Sequence, residues 1–201
     1  MHNVTFDFLD QHRHGPAFRE YLRLRKAFFV DLLGWDIPHN EEVEMDQYDN
    51  PCACYSLVLR RGLVVGGART MPTTAAWGQH TYMLRDALLG QLEAIPSAAM
   101  PLDIASNEIW ECTRLVISDN VTSHADRAEC LSLIVEGLVE ITHSNGGHEL
   151  VSLSPLPLMR TLRQLGFAAT RMGEPYASPD GRRYAVLRMP AVRSTRLIAA
   201  E

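Results

Sequence analysis

The chain has 201 residues, 46% of them hydrophobic and 21% charged, with a net charge of −5. That length supports one substantial core, so a single domain over 1–201 is the expectation. The acidic balance gives no reason to expect nucleic acid, and no apolar run approaches the roughly 20 residues of a membrane helix. The opening MHNVTFDFLDQHRHG lacks the apolar stretch and cleavage site of a secretory leader. Cys52, Cys54, Cys112 and Cys130 form neither a metal-type set of CxxC pairs nor a disulfide framework. These features point to a reduced, cytoplasmic protein without a metal.

In chain order, Pro16 to Leu33 reads as an amphipathic helix, with Phe18, Tyr21, Leu22, Phe28, Phe29 and Leu32 recurring at three and four. Gly15-Pro16 opens it and Gly34 stops it. His39 to Pro51 is acidic and poor in aliphatics, an ordered loop or short helix. Cys54–Arg60 and Leu63–Met71 form a hairpin through Arg61-Gly62, ended by Pro72. A weaker helix covers Tyr82 to Leu92, and Glu93 to Asn107 is a loose surface insert. Ile109 to Ser118 is a strand. Ser123 to Ser144 is a helix with Ser123 as N-cap, Asp126 at the capping-box position and Asn145-Gly146 as its stop. A buried strand (Leu150 to Leu153), a helix after Pro155-Leu156-Pro157 ending at Gly166, and a strand pair (Phe167 to Met172, Tyr184 to Met189) turned by Asp180-Gly181 complete the chain. Strands of mixed direction interleaved with helices predict an α/β three-layer sandwich.

Within this order, Arg25 and Phe29 share a helix face and Trp35 lies just past the helix end. On their own these are core aromatics and a snorkelling cation. Asp46 and Asp49 follow, after Glu41, Glu42 and Glu44; carboxylates so close repel unless a cation or ligand amine sits among them. Arg69, on the second hairpin strand, is a candidate for that cation. Glu111 and Arg114 interrupt the apolar string IWECTRLVI, where charge is costly unless paired or used. Residues three apart on a regular strand face opposite ways, so joint service in one site requires a β-bulge, expected at Cys112-Thr113. The alternative is a structural ion pair at a sheet edge.

Arg25, Phe29, Trp35, Asp46, Asp49, Arg69, Glu111 and Arg114, in that order and with the spacings from Arg25 to Arg69, resemble the acyl-homoserine-lactone synthases (LuxI-type autoinducer synthases). The strings EMDQYD, GGARTMPT, YMLRDALLG and IWECTR carry the same resemblance, which spans about residues 20 to 170. Leu88 stands where the family has phenylalanine, and the segment Gly90 to Asn107 is longer than in short members. The resemblance implies a GNAT-like α-β-α fold with a mixed central sheet. It implies an acyltransferase reaction in which the amine of S-adenosylmethionine attacks an acyl thioester on acyl carrier protein or CoA. Lactonisation then expels methylthioadenosine, with no cofactor, since S-adenosylmethionine is a substrate.

On that basis Glu111 is the first candidate for the base and Asp46 the second. Arg25 and Arg69 would hold the substrate carboxylate with Asp46 and Asp49 steadying them, Phe29 and Trp35 would meet the adenine and sulfonium, and Arg114 would tie the central strand to the loop carboxylates. The acyl chain would pass Met83, Leu115, Leu133, Ile141 and Leu153, near Ser152 and Ser154. Arg160, Arg163, Arg182 and Arg183 are candidates for docking an acidic carrier protein. A GNAT acyltransferase using acyl-CoA and a small amine is the main alternative, and a binding-only regulator a third. The loop Ser118 to His124 carries an aspartate and no glycine, unlike the pyrophosphate cradle of such acetyltransferases.

Overall fold

Alternation along the strands decides the architecture. In neighbouring pairs such as Leu57/Val58, Leu150/Val151 and Val186/Leu187, one side chain joins the core on one face of the sheet and the next joins the core on the other. A sheet apolar on both faces must be covered on both. The computed structural model describes residues 1–193. Its sheet contains β1 (His2–Asp7), β2 (Cys54–Arg60), β3 (Leu63–Pro72), β4 (Ile109–Ile117), β5 (Glu149–Pro155), β6 (Thr170–Arg171), β7 (Tyr176–Ala177) and β8 (Arg183–Pro190). The order is β1-β2-β3-β4-β5-β8-β6, with β7 also pairing β8. Helix α1 (Ala17–Arg25) covers one face, with α2 (Met83–Leu88) joining that core; α3 (His124–Ser144) and α4 (Leu156–Gln164) cover the other. This is the three-layer α/β sandwich expected from the sequence.

Helix α3 keeps the expected cap, the Asp126 amide donating to Ser123 Oγ at 3.0 Å. The β2–β3 hairpin turns through Arg61 and Gly62, both at positive φ (54° and 80°), the geometry of a two-residue primed turn. Gly66 and Gly67 let helices approach from both sides: an added Cβ would lie 2.8 Å from Cys130 Sγ at Gly66 and 3.0 Å from the Tyr21 ring at Gly67.

Other expectations need correction. The N-terminal segment is a strand, β1, paired antiparallel to β2 from His2↔Leu59 to Asp7↔Cys54. The first helix changes pitch at Lys26: residues Lys26–Leu32 form a π-helical stretch, and the Leu33 amide donates to the Phe28 carbonyl five residues back. The change of pitch leaves Leu32 exposed rather than in the core. Helix α2 is shorter than expected, and the insert after it is anchored rather than loose. Met100 and Ile104 are buried, and Tyr82 Oη donates to the Ile104 carbonyl at 2.6 Å. The C-terminal pair is reduced to the short β6 and β7 against β8.

The central strands place the site. Strand β3 runs antiparallel to β4, while β4 runs parallel to β5 only from Ile109↔Glu149 to Glu111↔Val151. Beyond Val151, β5 pairs with β8 alone. The edges of β4 and β5 that face each other past this point are therefore outside any ladder, and the sheet opens there.

Candidate active site

Three arginines and three carboxylates meet on the α1 face. Arg25, at the end of α1, is fully buried; its Nε donates to Glu44 Oε2 at 2.5 Å, and Nη1 and Nη2 each reach Asp49 at 2.8 Å. Arg69, on β3, is equally buried. Its Nη1 and Nη2 donate to Asp46 at 2.5 and 3.2 Å, its Nη1 lies 3.0 Å from Asp49, and its Nε donates to Thr113 Oγ1 at 3.1 Å. Arg114, on β4, reaches Asp46 at 2.7 Å and Glu44 at 3.3 Å.

The loop holds its own shape: the Asp46 amide donates to Asp49 Oδ2 at 3.0 Å and the Tyr48 amide to Asp46 Oδ1 at 2.9 Å. Tyr55 Oη adds a bond to Asp49 Oδ1 at 2.9 Å. Glu44, Asp46 and Asp49 lie close enough together to suggest a cation site, but guanidiniums already neutralise all three. Burial works to raise the Asp46 and Asp49 carboxyls, and Arg69 with Arg114 or Arg25 outweighs it, holding both below the ordinary carboxylate range.

A bulge brings Arg114 into this set, but two residues later than expected. Gly67 pairs with Val116 and Arg69 with Thr113, so the extra residue falls at Arg114-Leu115 instead of Cys112-Thr113. Arg114 takes a left-handed φ of 56°, a strained setting for a side chain. Its carbonyl accepts from Tyr21 Oη at 2.8 Å, which helps to hold that conformation.

Glu111 is different. Its side chain shares the α1 face with Arg69, opposite Met71, and it is 1% exposed. Its carboxylate accepts the Met83 and Leu84 amides at 2.9 and 2.7 Å, at the start of α2. Burial pushes its pKa up to about 7, against the opposing pull of those amides and of Arg69. Among the described residues it has no salt-bridge partner within contact distance.

Aromatic rings cover the cluster. Phe29 and Trp35 lie with centroids 4.9 Å apart, and the Arg114 guanidinium stands 5.4 Å from the Phe29 ring and 6.0 Å from Trp35. Trp35 Nε1 donates to Asp180 Oδ2 at 3.0 Å, and Tyr184 Oη donates to the same oxygen at 2.7 Å. The C-terminal hairpin thus steadies a ring contributed by the N-terminal third.

Arg25, Phe29, Trp35, Asp46, Asp49, Arg69 and Arg114 are therefore brought together, with Glu111 beside Arg69's strand. Glu44, Asp180 and Asp86, the last of which accepts Tyr48 Oη at 2.8 Å, join this network without having been singled out in the sequence. A count of charges was the available signal for Glu44, since three arginines require a third carboxylate. Asp180 and Asp86 had none, reading as an ordinary turn residue and an ordinary helix residue.

The expected acyl-pocket set is divided by the sheet. Met83 and Leu153 pack in the α1-side core, while Leu115, Leu133 and Ile141 pack on the α3 side. Ser152 and Ser154 are hydrogen-bonded to each other at 2.9 Å. A single pocket lined by all seven is not formed. Arg160, Arg163, Arg182 and Arg183 are exposed; the first two lie on α4 and the others at the β8 hairpin, where Arg182 stands 5.8 Å over Phe28.

The chain as a whole is similar to known proteins. Residues 10–197 match the family described as autoinducer synthase. The acyl-homoserine-lactone synthase of Acinetobacter nosocomialis is 30% identical over 181 residues, covering 86% of this chain and 91% of that protein. Among solved structures, TofI in a ternary complex with an inhibitor and MTA aligns with a TM-score of 0.72 at 24% identity, over 95% of this chain and 92% of its own. BjaI, a CoA-dependent acyl-homoserine lactone synthase with SAM and isopentyl-CoA bound, aligns with a TM-score of 0.74 at 19% identity, over 94% and 82%. The likeness to these two structures is a likeness of fold.

Proposed function

This chain belongs to the autoinducer synthase family and is an acyl-homoserine-lactone synthase, and from that premise we propose how its residues divide the reaction. The substrates are S-adenosylmethionine and an acyl thioester, and the whole chain acts as one synthase domain in the cytoplasm. Glu111 takes a proton from the methionine ammonium. The free amine attacks the thioester carbonyl carbon, the carbon–sulfur bond breaks, and the thiol of the donor leaves. A carboxylate oxygen of the same substrate then attacks its own γ-carbon, the bond from that carbon to the sulfonium breaks, and methylthioadenosine departs with the electron pair. The sulfonium is its own leaving group, so the residues need supply no redox or metal chemistry.

The observation that carries this reading is the state of Glu111. A base that is ionised near neutrality, yet basic enough to accept an ammonium proton, has a pKa close to working pH, and Glu111 is pushed up to about 7. Asp46, held low by Arg69 and Arg114, is the weaker base and serves to position. The arginine–carboxylate cluster orients the charged end of the substrate. Phe29 and Trp35 receive its purine and sulfonium, and the acyl group enters where β4 and β5 part. There the unladdered backbone offers N–H donors to the developing oxyanion. Acyl carrier protein is the proposed donor, docking on exposed arginines such as Arg160 and Arg163; acyl-CoA is the other thioester to test.

The purified chain, given S-adenosylmethionine and an acyl thioester on carrier protein or CoA, is expected to release methylthioadenosine and an acyl-homoserine lactone, read by mass spectrometry. Acylation of an unrelated small amine, with no methylthioadenosine formed, would refute the assignment.

A further inference from the structure

We propose that Asp86 is a positioning residue for Glu111: its buried carboxylate ties the Asp46–Asp49 loop to the start of α2 and so sets the base against the arginine cluster. This rests on the reading of Glu111 given above. Asp86 is fully buried, and both of its oxygens are shared. Oδ1 accepts the Thr81 amide at 2.9 Å and the Thr81 hydroxyl at 2.6 Å. Oδ2 accepts Tyr48 Oη at 2.8 Å and pairs with His80 Nδ1 at 3.1 Å.

Each partner leads to one half of the site. Thr81 precedes the two residues whose amides grip Glu111. Tyr48 sits inside the loop, with its amide on Asp46 and its ring 5.5 Å from the Arg69 guanidinium. A continuous path therefore runs from Glu111 through the first turn of α2 and Asp86 to Tyr48, Asp46 and Arg69. Asp86 makes no hydrogen bond to Glu111 itself; it acts through the backbone that does.

Helix capping alone does not account for this residue. A Ser or Thr caps a helix without burying a carboxyl group, whereas a fully buried carboxyl group with no arginine or lysine partner among the described residues is costly to place there. That cost is understandable at a position joining the two halves of a catalytic site. The charged and titratable groups around Glu111 are Arg69 on β3, Tyr48 on the loop, Tyr82 and Asp86 on and beside α2, and Cys112 on its own strand. Of these, Arg69 lowers the Glu111 pKa and Asp86 raises it.

The test compares Asp86→Ala and Asp86→Asn with the wild-type enzyme, measuring kcat and KM for S-adenosylmethionine across pH, with thermal unfolding alongside. Asp86→Ala is expected to lower kcat at least about tenfold, since small displacements of a catalytic group are costly. Asp86→Asn keeps an acceptor for Thr81 and should recover part of kcat. Its acidic limb should lie below the wild-type limb, because a negative neighbour of Glu111 is gone. Wild-type kcat and an unmoved limb in both variants would overturn the proposal, as would a fall in kcat no greater than the unfolded fraction. A wild-type enzyme that makes no lactone would overturn the underlying reading instead.

Discussion

The arginine cluster and the Glu111 pocket both bury carboxylates on the same face of the sheet, and they treat them in opposite ways. Around Asp46 and Asp49 each negative charge meets guanidiniums at hydrogen-bond distance, and the pKa values stay low. Glu111 meets two backbone amides and no cation in contact, and its pKa rises to about 7. Burial alone therefore does not determine ionisation; the partner does. A compensated carboxylate is a fixed strut, and an uncompensated one a group able to exchange a proton near neutrality.

The largest expected effect falls on the exchanging group. Glu111→Gln should reduce lactone and methylthioadenosine release by about 10²-fold or more while preserving the fold, as loss of a general base does. Near-normal turnover would erase the functional side of the comparison. On the strut side, Asp49→Ala strands Arg25 and Arg69 as under-paired buried cations. It should destabilise the protein by about 3–5 kcal/mol in urea unfolding; an unchanged midpoint would mean that the cluster is not structural.

The two regions should also give stability opposite pH dependences. Asp46 and Asp49 contribute stability that is present above the ordinary value of 3.8 and is lost as pH falls below it. Glu111 binds its proton more tightly folded than unfolded, so its contribution is full below 4.5 and is lost as pH rises toward about 7. Unfolding titrations should therefore find Glu111→Gln gaining on wild type across that upper window. A constant difference would show that Glu111 titrates normally. The smallest effect belongs to the aromatic cover: Trp35→Leu should raise KM for S-adenosylmethionine roughly two- to thirtyfold, the range of a cation–π contact, with kcat less affected.

Much of the frame was legible because local pattern and tertiary role coincide. Helix α3 carries its own cap at Ser123 and its stop at Gly146, and the β2–β3 hairpin its own turn at Arg61-Gly62. Strand β1 was missed because it lies at a sheet edge, where side chains such as His2 and Asp7 remain exposed and alternation is weak. The need for a bulge near Glu111 follows from strand periodicity. Its position does not, because it involves Arg114 adopting a left-handed φ while its carbonyl meets Tyr21, a contact across 93 residues. Asp46 and Asp49 stood out as charges in need of a partner, whereas Arg25 by itself reads as a snorkelling cation and is buried only because Glu44 and Asp49 meet it. Tyr48 on Asp86 and Trp35 on Asp180 join segments 38 and 145 residues apart, and no local spacing encodes them. The acyl-pocket residues failed as a set because apolar side chains that face a ligand look the same in sequence as those that face the core.

The central claim, that Glu111 is the base because its buried carboxylate beside the arginine cluster meets two amides and no contacting cation, is tested most directly by the pH dependence of single-turnover lactone formation. The account predicts a rate that climbs with pH through a single ionisation near 7, the value to which burial pushes Glu111. A rate that is flat through neutrality, or that rises only around the ordinary carboxylate value of 4.5, would contradict it.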